Sequence, residues 1–189
     1  MTRLVVDGYN IVHAWPELAA TLRGDSLEEA RRRLLVRLAE YRATTGNEVL
    51  VVFDARFRAR GTPDREMVEG VEVRYGSAQE SADHVIERLM YEASRRGRVL
   101  EMVLATDDRL QRGLVAGMGV PTLSSRALRA EVERAEKERG GEVVRRAERS
   151  SAAARVENRI SPEARRRLEE IRRGGGSGAA GGGGPEVGP

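Results

Sequence analysis

The 189-residue chain contains no cysteine and only two histidines, His13 and His84. The lack of cysteine excludes a disulfide framework and a thiol nucleophile, and two histidines without cysteine are too few for a closed zinc site. Seven aromatic residues are too few to stack several nucleobases at once, so a nucleic acid would be held mainly by its phosphates. No apolar run has the length of a signal peptide or a membrane span, which predicts a cytoplasmic protein with no membrane partner.

Basic residues are concentrated in the C-terminal part of the chain. Residues 123 to 173 contain 15 Arg or Lys against 10 Glu, whereas residues 1 to 122 contain 18 basic and 19 acidic residues. All basic residues except Lys137 are arginine, whose planar guanidinium group suits phosphate. We therefore expect this segment to contact nucleic acid, although a solvated helix surface would have the same composition.

Short apolar runs alternate with helical patterns up to residue 123. Five strands are predicted at residues 4–6, 49–53, 71–73, 99–104 and 120–123. Helices are predicted at residues 26–44, 77–95 and 107–115, the first two beginning at the capping serines Ser26 and Ser77. This alternation predicts an α/β fold, a three-layer α/β/α sandwich with a mostly parallel five-stranded sheet.

Composition divides the chain into three regions. Residues 1–123 are predicted to form the α/β domain, and residues 124–173 a basic C-terminal helical extension with a break at Gly140 and Gly141. Residues 174–189 are rich in glycine and have almost no apolar side chain to bury, which predicts a disordered tail.

Aspartates lie where the predicted strands end. Asp7 ends the first strand, Asp54 the second, and Asp107 and Asp108 follow the fourth. The carboxyl ends of parallel strands meet at one edge of a sheet, so these acids are expected to be neighbours. Asp83 lies in the helix after the third strand, beyond the first turn of a helix that begins at residue 77, where neither capping nor the helix dipole favours a carboxylate.

Each of the strand-end acids also has a purely structural explanation. Asp7 followed by glycine is typical of a tight turn, Asp54 is a polar residue at a strand end, and Asp107 or Asp108 suits a helix N-terminus. Together, however, such carboxylates repel one another unless a hard cation neutralises them. The sequence therefore predicts a Mg²⁺ or Mn²⁺ site with ligands among Asp7, Asp54, Asp83, Asp107 and Asp108.

Polar and basic side chains near these acids are candidates for substrate binding. Asn10 offers an amide to a metal-bound water or a phosphate, or it shapes a loop. Thr106 either caps the following helix or binds phosphate. The arginines after Asp54 clamp flanking phosphates or belong to a solvated loop; they are Arg56, Arg58 and Arg60.

Several motifs resemble the YacP-like branch of the NYN family, which has a PIN-like nuclease fold. They are LVVDGYNIVHAWPEL from Leu4, EEAR from Glu28, VVFDA from Val51, SAD from Ser81 and ATDD from Ala105. The resemblance covers roughly residues 3 to 173 and does not include the glycine-rich tail.

This resemblance implies a metal-dependent endoribonuclease that cleaves messenger RNA in association with the ribosome. It also implies catalytic residues, with Asp7 and Asp83 as the principal acids and Asn10, Asp54 and Asp108 in support. The family more often has Thr-Ser-Asp where this chain has Thr-Asp-Asp from residue 106. That difference leaves open whether Asp107 or Asp108 faces the metal.

Three other functions compete with the nuclease interpretation. A Mg²⁺-dependent phosphoacceptor domain would use Asp54, but folds of that kind need a lysine near the last strand, and the single lysine is Lys137. A haloacid-dehalogenase-type phosphatase needs an aspartate two positions after Asp7, where Tyr9 stands. A non-catalytic RNA- or ribosome-binding module with the same fold remains open.

Overall fold

The computed structural model describes residues 2–24, 26–55, 63–77, 79–159 and 166. The elements of the described chain are, in order, β1 (Arg3–Asp7), α1 (Gly8–Ala14), α2 (Pro16–Gly24), α3 (Leu27–Thr45), β2 (Glu48–Phe53), β3 (Arg65–Val68), β4 (Val71–Tyr75), α4 (Ala82–Arg95), a 3₁₀ turn (Val99–Glu101), β5 (Met102–Ala105), α5 (Arg109–Gly117), β6 (Thr122–Leu123) and α6 (Ser125–Arg159).

The strands form one mixed sheet in the order β3-β4-β2-β1-β5-β6. All neighbours pair in parallel except β3, which is antiparallel to β4. The predicted number of five strands is wrong because the sequence pattern missed β3. This edge strand, Arg65–Val68, has no buried residue, so it lacks the apolar run that marks the other strands.

The sheet has a hydrophobic core on each face, which confirms the predicted three-layer α/β architecture. One core joins the sheet to α1, α2, α3 and the first part of α6, and its largest buried side chains include Trp15, Leu34 and Phe53. The other joins the sheet to α4 and α5 through residues such as Leu50, Ile86 and Leu104. Residues 49–53 of β2 are all buried, as expected for a central strand covered on both faces.

The structure corrects two predicted element boundaries and adds two helices that were not predicted. The helix expected from Ser77 begins at Ala82, because the Ser81 hydroxyl caps it by accepting a hydrogen bond from the His84 N–H. The strand expected at 99–104 begins at Met102, after the 3₁₀ turn. Residues 8–24, for which no helix was predicted, form α1 and α2, and Trp15 between them is buried.

The C-terminal segment differs from its prediction in one respect. Helix α6 is continuous from Ser125 to Arg159, so the break predicted at Gly140 and Gly141 is wrong. Chain contacts group Met1–Gly141 into one compact unit and Glu142–Pro189 into a second. Leu128, Val132 and Ala135 of α6 therefore pack within the unit that contains the sheet. The glycine-rich tail lies outside the described residues.

Glycine is required at position 8, where β1 turns directly into α1. A Cβ atom built on Gly8 would overlap the aromatic ring of Phe53, the last residue of β2. The close approach of the α1 backbone to this ring holds Asp7 at the end of β1 and the first turn of α1 against the core. No helix in the described part of the chain combines the length and the apolar character needed to cross a membrane.

Candidate active site

Asp7 is held between two elements at the carboxyl edge of the sheet. It is the last residue of β1 and the N-cap of α1, and its Oδ1 accepts a hydrogen bond from the Asn10 N–H at 3.2 Å. Its Oδ2 accepts one from the Thr106 hydroxyl at 3.4 Å, so β1 and the end of β5 meet at this carboxylate. Asp7 is thus fixed by both neighbouring elements.

The protonation of Asp7 shows which other acids lie near it. The pKa of the Asp7 carboxyl is raised from 3.8 to about 6, mainly by burial. The negative charges of Asp83 and Asp108 also raise this pKa, whereas the hydrogen bonds from the Asn10 N–H and the Thr106 hydroxyl lower it. Three carboxylates from β1, α4 and the β5–α5 junction therefore act on one another. This is the convergence that the parallel-sheet rule predicts for strand-end acids.

The β5–α5 junction separates the two adjacent aspartates. Asp108 is the N-cap of α5, where its Oδ1 accepts hydrogen bonds from the Leu110 and Gln111 N–H groups at 2.8 and 3.0 Å. Asp107 instead accepts from the N–H group and the hydroxyl of Ser125, at the start of α6. Asp108 is the member of the pair whose charge acts on Asp7.

Thr106 and Asn10 connect the acids through the loop between β5 and α5. The buried Thr106 hydroxyl donates to Asp7 and accepts a hydrogen bond from the Asp108 N–H at 3.1 Å. The alternative in which Thr106 caps the helix is wrong, since Asp108 does so. The Asn10 side-chain oxygen accepts from the Asp107 N–H at 2.8 Å, and Asn10 lies in α1 rather than in a loop.

Asp83 has a different local environment from the one predicted. It lies in the first turn of α4, because the helix begins at Ala82, and its side chain is exposed. The helix dipole therefore favours its charge, which corrects the argument that neither cap nor dipole does so. Its Oδ1 accepts a hydrogen bond from the Gln111 Nε2 at 3.0 Å, which connects α4 to α5.

Gln111 is a site residue that the sequence pattern did not reveal. It is only 5% exposed, and its side-chain oxygen has no hydrogen-bond partner among the described residues. A buried amide oxygen without a partner is costly unless a water or an ion satisfies it. The one available signal was a glutamine on the buried face of α5, three residues after Asp108.

Asp54 lies at the same edge of the sheet but acts on a different group. Burial raises the pKa of the Tyr9 hydroxyl to about 12; the Arg31 charge lowers this pKa, and the Asp54 charge raises it. The acids that act on Asp7 are Asp83 and Asp108. Of the predicted substrate-binding arginines, Arg56, Arg58 and Arg60 all lie outside the described residues.

The donor set fits a hydrated divalent cation better than a fully protein-ligated one. No three acidic or histidine side chains among residues with a described position lie close enough to ligate one ion together. Mg²⁺ usually keeps several of its waters and binds through one or two carboxylates. The crowded acids and the unpartnered Gln111 oxygen are suitable partners for such waters.

Comparison with known proteins places this chain in a nuclease-related class, the NYN domains. The chain matches the YacP-like NYN domain family over residues 4–173, and it belongs to that family. The uncharacterized protein YacP of Bacillus subtilis strain 168 is 38% identical over 137 residues, which cover 72% of this chain and 78% of that protein.

Solved structures agree with the family membership. The crystal structure of Rae1 (YacP) from Bacillus subtilis matches with a TM-score of 0.65 and 36% identity, covering 93% of this chain and 97% of that one. A mutant of the same protein matches with a TM-score of 0.58 and 36% identity, over 72% of this chain and 77% of that one. The resemblance seen in the sequence motifs is confirmed.

Proposed function

We propose that the protein is a divalent-metal-dependent endoribonuclease that hydrolyses RNA phosphodiester bonds, with messenger RNA associated with the ribosome as its substrate. The observation that carries this proposal is the partly buried Asp7 carboxylate, whose pKa is raised to about 6 by burial and by the charges of Asp83 and Asp108. Such an arrangement is unfavourable in the empty protein, and strongly perturbed acids are typical of functional sites.

In the proposed mechanism, one or two of the carboxylates of Asp7, Asp83 and Asp108 would bind a hydrated Mg²⁺ or Mn²⁺ directly, and the others would contact its waters. When bound, the cation supplies Lewis-acid activation of water and neutralises charge on the phosphodiester. Thr106 orients Asp7 and the Asp108 backbone, while Gln111 orients Asp83. These hydrogen bonds fix the carboxylates before substrate arrives, and loss of such supporting contacts typically costs about 10- to 100-fold in metal affinity or activity.

Basic side chains support the RNA part of the proposal. The first part of α6 exposes Arg126, Arg134, Lys137 and Arg139 to solvent. Exposed cations of this kind bind the phosphate backbone without regard to sequence. The predicted phosphate clamp by Arg56, Arg58 and Arg60 stays a prediction.

The proposal is tested by incubating the purified protein with RNA and Mn²⁺, with and without ribosomes. We expect the parent protein to produce internal cuts and Asp83→Asn to cut at least about a hundredfold more slowly, because it loses one charge of the acidic site. Glu92→Gln is the matched control: it removes a carboxylate from the same helix, where Glu92 pairs with Arg88 instead.

The outcome also separates the nuclease from its main rival. If the parent and Asp83→Asn both leave RNA intact, even on ribosomes, the nuclease proposal is abandoned. RNA binding without cleavage would then favour a non-catalytic binding module. If Glu92→Gln slows cleavage as much as Asp83→Asn, the effect does not come from the acidic site.

A further inference from the structure

Arg31 lies at the same edge of the sheet as Asp7, although no part of the proposed mechanism uses it. It is in the second turn of α3, and its guanidinium carbon lies 4.9 Å from the ring centre of Phe53 and 5.0 Å from that of Tyr75. These rings belong to the last residues of β2 and β4. Arg31 is therefore held over the carboxyl ends of β2, which pairs with β1, and of β4, which lies on the other side of β2.

Aromatic rings and a hydroxyl group hold this side chain in place. One guanidinium N–H donates to the Tyr75 hydroxyl, which in turn donates to Glu66 at 2.7 Å. The Arg31 Nε is buried and has no hydrogen-bond partner among the described residues. Its neighbours on α3, Arg32 and Arg33, both bind the carboxylate of Glu29.

This environment suits an anion that arrives from outside the protein. Stacked rings fix the plane of a guanidinium group and leave its in-plane N–H donors for an oxygen ligand. Arginine has five such donors, of which Tyr75 takes one. A phosphate, with several acceptor oxygens, matches the planar fork of the remaining donors.

Arg31 and the acidic site share their neighbours. The Gly8 backbone, directly after Asp7, packs against the Phe53 ring that Arg31 covers. The Tyr9 ring contacts the same Phe53 ring edge to face, with centres 5.1 Å apart. The guanidinium group and the backbone that follows Asp7 thus contact the same aromatic ring.

We propose that Arg31 binds a backbone phosphate of the RNA strand that flanks the cleaved phosphodiester, and so directs the strand from Asp7 towards the start of α3. This inference rests on the proposed function. An acidic site repels the phosphates of its substrate, so a fixed cation beside it compensates for that repulsion and orients the strand.

The test measures the affinity of a fluorescent single-stranded RNA oligonucleotide by anisotropy, in an Asp83→Asn background that suppresses cleavage. Arg31→Gln is expected to weaken binding about tenfold. It should also make the plot of the logarithm of the binding constant against the logarithm of the salt concentration less steep, by about the amount that one phosphate contact contributes. Arg32→Gln, which removes the same charge from the next residue of α3, is expected to change affinity less than about twofold, as for an exposed ion pair. Equal affinities for the two variants overturn the inference.

A second measurement does not depend on the stability of Arg31→Gln. The Arg31 Nε–H resonance of the ¹⁵N-labelled Asp83→Asn protein is expected to shift when the RNA is added. This resonance is identified by its absence from the spectrum of the Arg31→Lys variant. An unshifted resonance under saturating RNA means that Arg31 only supports the fold. If the protein without the Arg31 change does not bind RNA at all, the proposed function fails as well, whereas binding without any effect of Arg31 overturns this inference alone.

Discussion

Asp7→Asn is expected to lower the rate of Mn²⁺-dependent RNA cleavage by about a hundredfold to a thousandfold, the range seen when an enzyme loses one group that stabilises charge in the transition state. The amide still accepts a hydrogen bond from Asn10 or Thr106, so the local fold is retained. What is lost is the negative charge at the centre of the acidic site. Initial rates of cleavage at saturating Mn²⁺ measure this effect.

Asp107→Asn is the matched control for this experiment. Asp107 is also an aspartate at the carboxyl edge of the sheet, but its carboxylate accepts hydrogen bonds from Ser125 at the start of α6. We expect this variant to keep a cleavage rate within a few-fold of the parent and to lose some stability. If it loses as much activity as Asp7→Asn, the assignment of the metal-facing acid to Asp108 is wrong.

The second large effect concerns stability in the absence of metal. The folded-state pKa of Asp7 is about 6, above its ordinary value of 3.8, so the folded protein binds this proton more tightly than the unfolded chain does. Below about pH 4 the Asp7 carboxyl is protonated in both states, so it does not lower the free energy of unfolding. Between about pH 4 and pH 6 the unfolded chain has lost this proton while the folded protein still holds it, so the free energy of unfolding falls by up to about 3 kcal/mol as the pH rises. Above about pH 6 both states are ionised and the loss levels off.

Asp7→Asn removes this penalty. In EDTA at pH 7.5, its free energy of unfolding is therefore expected to exceed that of the parent by up to about 3 kcal/mol, and the difference should vanish below about pH 4. Denaturant unfolding of both proteins at a series of pH values measures it. A gain that does not change with pH, or a loss of stability at pH 7.5, would contradict a crowded and buried carboxylate at position 7.

The sequence predicted the parts of the fold that depend on local patterns. Val49 to Phe53 form an apolar run that can only be a buried strand or helix, and the parallel arrangement then follows from the alternation with helices. Ser26 was predicted as the start of α3, and its hydroxyl does accept a hydrogen bond from the Glu29 N–H. The sequence also predicted that Asp7 and Asp108 lie at one edge of the parallel sheet, and the charge of Asp108 does act on Asp7.

Features that depend on tertiary contacts were missed. Strand β3 is an exposed edge that pairs with β4 through its backbone, so its side chains have no apolar pattern. Ser77 and Ser81 were both possible caps for the start of α4. The Ser77 hydroxyl accepts hydrogen bonds from the Gln79 and Glu80 N–H groups in a turn before the helix. Local spacing does not distinguish such a turn from a helix cap.

The supporting residues of the candidate site were the least predictable. Gln111 and Arg31 belong to helices whose buried faces carry mostly apolar residues, and their polar partners lie 28 and 44 positions away along the chain. Only the packing of α5 against α4, and of α3 against the sheet, brings these partners together. Asp7 and Asp108 could be predicted from the sequence because they follow strands. The groups that orient the acids could not.

Direct measurement of Mn²⁺ binding tests the central claim that acids distant in sequence share one cation. In a titration followed by electron paramagnetic resonance at pH 7.5, the parent protein should bind Mn²⁺, and Asp7→Asn and Asp83→Asn should each weaken binding at least about tenfold, the loss typical of a disturbed metal site. Mn²⁺ affinity that is the same in the parent and both variants would contradict a shared site, as would a parent protein that binds no Mn²⁺.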